Sequence, residues 1–380
     1  MKRLLLLLIF IPFLALAEPM YSPTWGFHID LPEGYEYAEG DARDRFSFGG
    51  PEGLMFDLVV YNDRYNSMLE LANDINARLS NRGDVDFFQY RDKQAAMIKL
   101  TFGNFDGWGL AVELGSPTGT TANSAGSRRP ILLALAYGPA NRRDLELFHI
   151  SALDSISPTL EDRYYPGPIM EYSYPRGEAR STPLAVRGVS AMIRENDAEA
   201  SQVLIEREFI ILKNYLNTPL LQDATIRYYR FIFKDSYDRI SDAATAIAHH
   251  FGGHTAVTDE QKRAFAQRAL SFVQGFTYER FLVESDFLNL ITSVTEGKGD
   301  CDSHSMLFAM ILANANIRGA IMLSFHYSHS MGLADVVGTG ARFEALGTRW
   351  LVAETTTRID IGLIAEDVSD PRYWFAVVFE

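Results

Sequence analysis

The chain has 380 residues, 47% of them hydrophobic and 22% charged, which suits a globular protein with a sizeable core and excludes a disordered one. Its formal net charge of −14 argues against a nucleic-acid partner and an anionic membrane surface, because both are bound through cationic contacts to phosphates. A single cysteine, Cys301, allows no internal disulfide, so stability rests on packing.

The chain opens MKRLLLLLIFIPFLALAEPM, with Lys2 and Arg3, an apolar run from Leu4 to Ala17, and the small-residue sequence Ala15-Leu16-Ala17. This is the pattern of a secretory signal peptide over residues 1–17, cleaved after Ala17. The run is shorter than the roughly 20 residues that span a bilayer, so an uncleaved anchor is the lesser alternative. The expectation is an exported protein, periplasmic in a bacterial cell, with no membrane association beyond the signal. Retaining one thiol in an oxidising compartment then calls for a reason, against the alternative of a buried, inert cysteine.

Residues 18–158 read as one unit. WGFHIDLPEGYE and GLMFDLVVYN predict strands. In SMLELANDINARLSNRG the residues Met68, Leu71, Ala72, Ile75 and Leu79 fall at helical spacing, with Gly83 as the stop. DFFQYRD, AAMIKLTFG, GWGLAVELGS and RPILLALAYG predict further strands, and NRRDLELFHISALDSIS a closing helix. An antiparallel sheet with helices follows, an α+β sandwich. The "GF.I.LP.G" opening and the final helix ending in LDSIS resemble the Mog1/PsbP/DcrB-like group, which implies a binding or scaffolding domain with a protein partner.

Residues 159–183 are rich in Pro, Gly and Tyr without periodicity and read as an inter-domain linker in which no helix or strand fits. Residues 184–255 form a helical front part and 256–380 a further core. Helices are predicted in ASQVLIEREFIILKNYL, TIRYYRFIFKDSYDRISDAATAIAHHF and TDEQKRAFAQRALSFVQGF, the last opened by Thr258 with Gln261 three residues on, as in a capping box.

The segment EGKGDCDSHSMLFAMILANANIRGAIML carries the chemistry. Asp300 is a natural N-cap, which puts Cys301 in the first turn of a helix running to about Asn314, apolar nearly all round and therefore buried. The positive end of the helix dipole predicts a lowered thiol pKa, although Asp300 and Asp302 oppose it. A thiolate nucleophile needs a base, and the base needs an orienting group. HYSHSMGLADVVG and TRWLVAETTT read as neighbouring strands and supply His326, His329 and Glu354.

A cysteine at a helix start, then a histidine strand, then an acid strand resembles the transglutaminase-like superfamily of papain-type fold. GKGDCDSHSML is similar to its nucleophile helix, HSMGLADV to its histidine strand and RWLVAETT to its acid strand. The resemblance implies Cys301 as nucleophile, His329 as base and Glu354 as orienting acid. The pattern departs where Glu354 stands in place of the usual Asp, and where Ser330-Met331-Gly332 lacks an aromatic residue. The fold class expected for the whole chain is α+β: an N-terminal antiparallel-sheet sandwich, a helix-rich region and a transglutaminase-like (papain-type) domain over 184–380.

Rival assignments stay open. In a strand His326 and His329 point to opposite faces, so only one can meet Cys301. His304 lies one helical turn from the thiol, and Asp300 and Asp302 read as capping residues. His249, His250 and His254 show no ligand spacing, and neither do Cys301, His304, His326 and His329 as a set, so no metal and no cofactor is expected. Tyr228, Tyr229, Phe231 and Phe233 read as core. Two functions compete: an exported thiol enzyme acting on the amides of a protein or peptide substrate, cell-wall peptide included, by hydrolysis or transamidation; or a non-catalytic periplasmic binding or assembly module built on the same scaffold.

Overall fold

The computed structural model describes residues 19–115, 129–280 and 285–379; the expected leader lies outside them. The first unit is a seven-stranded antiparallel sheet, ordered Glu36–Gly40, Arg45–Gly49, Met55–Tyr61, Ile131–Pro139, Phe105–Glu113, Lys93–Phe102, Val85–Tyr90. Strand periodicity divides its side chains between two cores. Along Lys93–Phe102, Ala95 and Met97 face one layer, while Ala96, Ile98 and Leu100 face the other. Helix α1 (Met68–Leu79) covers the second with Met68, Leu71 and Ile75, and helix α2 (Glu146–Asp154) covers the first with Ala152 and Leu153.

Helix α1 ends before the glycine expected to stop it. Ser80 takes the left-handed conformation, φ 50°, and closes the helix, whereas Gly83 lies where a Cβ would sit 1.9 Å from the Lys99 carbonyl oxygen. Gly83 is thus required by close approach to a neighbouring strand rather than by the helix end.

Residues 159–183 are not an unstructured linker. They hold helix α3 (Pro168–Ser173) and the strand Ala179–Pro183, which pairs with Ser190–Arg194. Asp154 Oδ1 accepts the backbone N–H groups of Ile169 and Met170 at 2.9 and 3.1 Å, and Tyr90 donates its hydroxyl to the Pro166 carbonyl at 2.9 Å. Composition marked the prolines and glycines but not these long-range partners, which hold the segment against the sheet.

Next comes a helical layer, α4 (Asp197–Lys213), α5 (Leu221–Arg239), α6 (Ser241–His250) and α7 (Asp259–Val273), the last with the Thr258–Gln261 capping box formed in both directions. Helices α8 (Leu290–Glu296) and α9 (Cys301–Ala313) follow, then a five-stranded antiparallel sheet ordered Arg342–Ala345, Thr348–Ala353, His329–Ala334, Gly319–Ser324, Phe375–Val378. Helix α9 lies directly on this sheet. A Cβ at Gly332 would come 2.5 Å from a ring carbon of Phe308, so glycine in the histidine strand lets the helix seat closely. The architecture is α+β, and no helix among the described residues is long and apolar enough to cross a membrane.

The sheet unit and the helical layer share a buried interface. Leu54, Leu145 and Phe148 pack with Ile211, Tyr215 and Ala224. Beside them, Glu208 accepts Arg207 at 2.8 Å, Arg227 at 2.8 Å and the Ser151 hydroxyl at 2.9 Å, while Arg207 also donates to Asp154 at 2.7 Å. At the rim, burial pushes the Glu33 carboxyl up to about 8, helped by Asp30 and opposed by Arg227. The folded chain therefore keeps a proton that the unfolded chain releases near 4.5, and stability falls as pH rises from there to about 8. Glu33→Gln is expected to differ little from the parent at pH 5 and to exceed it by on the order of 2 kcal/mol at pH 8 in urea denaturation. Equal stability at both pH values would refute a buried, protonated Glu33.

Candidate active site

Asp300 is extended and caps α9 by accepting the Ser303 N–H at 2.9 Å, which sets Cys301 as the first helical residue. The approach is held by strand Thr277–Tyr278 running parallel to Lys298–Gly299, with Glu279 N donating to Gly299 O at 2.8 Å. This brings Tyr278 against the thiol; burial, then the neighbouring Cys301, pushes the Tyr278 hydroxyl up to about 12.

The second half of the site comes from the sheet. The register pairs Gly332 with Ala353, and carried one residue further it sets Glu354 opposite Met331, diagonal to His329 on the same face. His329 Nε2 and Glu354 Oε2 are 2.8 Å apart. The other carboxylate oxygen, Oε1, accepts the Thr356 N–H and hydroxyl at 2.8 and 2.6 Å. Gln274, at the end of α7, donates to the carbonyls of Glu354 and Ile359 at 2.8 and 2.9 Å, fixing the backbone of the acid. Burial works against the Glu354 carboxylate, but the bonds from His329 and Thr356 outweigh it and hold its pKa below the ordinary value.

The thiol does not match the expected acidity. Cys301 is 7% exposed, and burial, then Asp302, then Asp300 push its pKa up, with the Ser330 side chain and backbone pulling weakly the other way. Its sulfur faces Asp302 Oδ1 at 3.8 Å, and among the described residues no hydrogen bond joins it to the His329 ring. The dipole at the helix start is outweighed because the same turn is sealed from solvent and carries two carboxyls. Those acids are themselves raised, Asp300 by burial and by Asp302, and Asp302 mainly by burial. His329 directly precedes Ser330, whose side chain and backbone act on the thiol, and its charge is felt at Asp302.

The rivals lie elsewhere or are occupied otherwise. His326 sits in the exposed turn before the strand and stacks on Tyr373 at 4.1 Å. His304 is buried edge-on to Phe276, and desolvation brings its pKa down to about 4. His249 and His254 stack on each other at the surface, 4.2 Å apart. Among the described residues the metal-type donors that converge are Asp300, Cys301 and Asp302, and Asp300 Oδ1 is committed to the cap. Tyr228, Tyr229, Phe231 and Phe233 belong to the main core, though Tyr229 also hydrogen-bonds Asp302.

No protein-family model matches the chain, and no curated protein matches it by sequence.

Sequence reasoning gave no role to Ser330, Thr356 and Gln274, whereas the resemblance of FVQGFTYERF to the family's approach to the cysteine already marks Tyr278. Thr356 stood two residues from the acid and was findable as a hydroxyl next to a carboxylate. Ser330 stood next to the expected base His329, and Gln274 alone reaches the site through folding with no local pattern to mark it.

Proposed function

We propose that the chain is an exported thiol enzyme of transglutaminase-like type that acts on amide bonds of a protein or peptide, cell-wall peptide included. The observation that carries this reading is the His329–Glu354 pair, set 2.8 Å apart beside a helix that begins with the only cysteine. With Nε2–H directed to Glu354, the imidazole keeps the lone pair on Nδ1 to take the thiol proton. Cys301 Sγ then attacks the amide carbonyl, and the proton passes to the departing amine as the C–N bond breaks. The resulting thioester is resolved by water, giving a peptidase or amidase, or by an amine, giving a transglutaminase.

The raised thiol pKa means that Cys301 rests protonated and becomes a nucleophile by proton transfer to His329, not as a standing thiolate. Burial sets most of this threshold, and among the neighbouring charges Asp302 adds most to it. Asp302→Asn is expected to speed iodoacetamide labelling of Cys301 at pH 7 by on the order of tenfold, about one pKa unit. The parent should label below pH 8 in a manner that depends on His329.

The burial of Cys301 and its two acidic neighbours favour a second reading, a non-catalytic assembly module. A folded, reduced protein whose thiol stays unlabelled, or is labelled equally without His329, would establish that reading and sink the enzyme.

A further inference from the structure

The segment that leads up to the Cys301 helix lies alongside its approach as a strand. Thr277–Tyr278 runs parallel to Lys298–Gly299, and the N–H groups of Thr277 and Glu279 donate to the carbonyls of Gly297 and Gly299, each at 2.8 Å. This extended pairing makes side chains alternate, so Tyr278 and Arg280 leave by the same side. That side is the thiol's. Tyr278 lies edge-on to His304, one helical turn past Cys301, with ring centroids 6.4 Å apart and planes at 80°. Arg280 acts by its charge on Tyr278, and Tyr278 and Cys301 in turn act on Arg280.

Arg280 is held in place with part of its hydrogen-bonding capacity unused. Its Nε donates to Asp286 Oδ2 at 2.6 Å, and its side chain is 48% exposed. Asp286 is set by the residue before it, since the Ser285 hydroxyl bonds the buried Tyr228 at 2.8 Å and the Ser285 N–H donates to Glu206 at 3.2 Å. A guanidinium carries five N–H donors in a rigid fork, so one bond from Nε leaves the edge formed by Nη1 and Nη2. Among the described residues neither terminal nitrogen has a hydrogen-bond partner. Two parallel donors on one edge match a single carboxylate.

The acids closest to the thiol compete weakly for that edge. Asp300 is bonded by Ser303, and Asp302 by Ser330 and Tyr229, and burial raises both carboxyls and so reduces their charge. Arg280 is the exposed charge on this side of Tyr278. The two residues stand one same-side repeat of a strand apart, about 6.6 Å, which is also the repeat of an extended peptide lying across the thiol.

We infer that Arg280 selects the substrate: the amide presented to Cys301 belongs to an extended peptide with a carboxylate within two residues of the scissile bond, and the Nη1–Nη2 edge binds that carboxylate. The inference rests on the thiol-enzyme reading of this site and adds the class of peptide.

Binding is read by calorimetry in Cys301→Ala, so that no acyl transfer takes part. The probes are acetyl-Ala-Ala-Gln-Ala-Ala-amide, the same peptide with Glu for Gln, and the Gln peptide with a free C-terminal carboxylate. One or both acids should bind about tenfold tighter than the neutral peptide, as befits a hydrogen bond to a charged group. Which acid does so separates a side-chain carboxylate from a chain terminus. Adding Arg280→Gln should level the three. Adding Lys298→Gln instead removes a cation that is paired with Glu279 and Glu296 on the neighbouring strand, and should leave the preference intact. Melting at the parent's temperature excludes a folding defect in either variant. No binding, equal binding of the three peptides, a preference that survives Arg280→Gln, or one that disappears with Lys298→Gln would overturn the inference. A preference beside an unreactive parent thiol would sink the enzyme and leave a peptide-binding edge, whereas a reactive thiol without the preference would sink this inference alone.

Discussion

Replacing His329 by alanine is expected to slow acylation of Cys301 by about 10²–10⁴-fold at pH 7, the usual contribution of a positioned general base. The thiol is pushed up by burial and by Asp302 and Asp300, so without an acceptor little of it is ionised. The measurement is single-turnover acylation by p-nitrophenyl acetate, with the thioester identified by intact mass. Glu354→Gln should fall between the parent and His329→Ala, because the amide oxygen still accepts from Nε2 while the charge that stabilises the imidazolium is gone. The Glu354 pKa is held below its ordinary value of 4.5, so its contribution to stability is present above that pH and is lost only as pH falls through the lower folded value. A loss of acylation under mildly acid conditions therefore does not belong to Glu354. Acylation at the parent rate in His329→Ala would leave Cys301 an ordinary buried thiol.

Glu208→Ala is expected to destabilise the protein by about 3–5 kcal/mol, the range for removing one partner of a buried ion pair. Glu208 is 2% exposed and is the acid shared by Arg207 and Arg227, both also buried. Arg207 retains Asp154, but Arg227 loses its only carboxylate partner among the described residues and is left against the Asp30 carbonyl and the Ser151 hydroxyl. Glu208→Gln should cost less, since shape and an acceptor remain. Urea unfolding followed by tryptophan fluorescence reads both halves, with Trp25 and Trp108 in the first unit and Trp350 and Trp374 in the last. One transition is expected in the parent, because the network and the apolar cluster around Phe148 and Tyr215 join the units. Two separated transitions would show that the interface does not couple them.

Several features were legible because their causes are short-range. The Thr258–Gln261 capping box, the Asp300 cap and the face of α1 each depend on residues within one or two helical turns. Strand alternation likewise exposed the N-terminal sheet, although not its order, since the strand Ile131–Pro139 inserts between Met55–Tyr61 and Phe105–Glu113 by long-range pairing. The stretch 159–183 was misread for the complementary reason: its order comes from Asp154, Tyr90 and the strand Ser190–Arg194, none of which its own composition reveals.

By itself the sequence determined that a lone cysteine stands at a capped helix start, with histidine and acid strands to follow, because caps and periodicities act through neighbours along the chain. Only the tertiary structure decided which histidine meets the acid, since strand register places His329 at Glu354 and leaves His326 stacked on Tyr373. It also reversed the expected acidity of Cys301. A thiol's pKa is a sum over everything that surrounds it, and burial together with Asp302 and Asp300 outweighs the dipole that the helix start alone supplies.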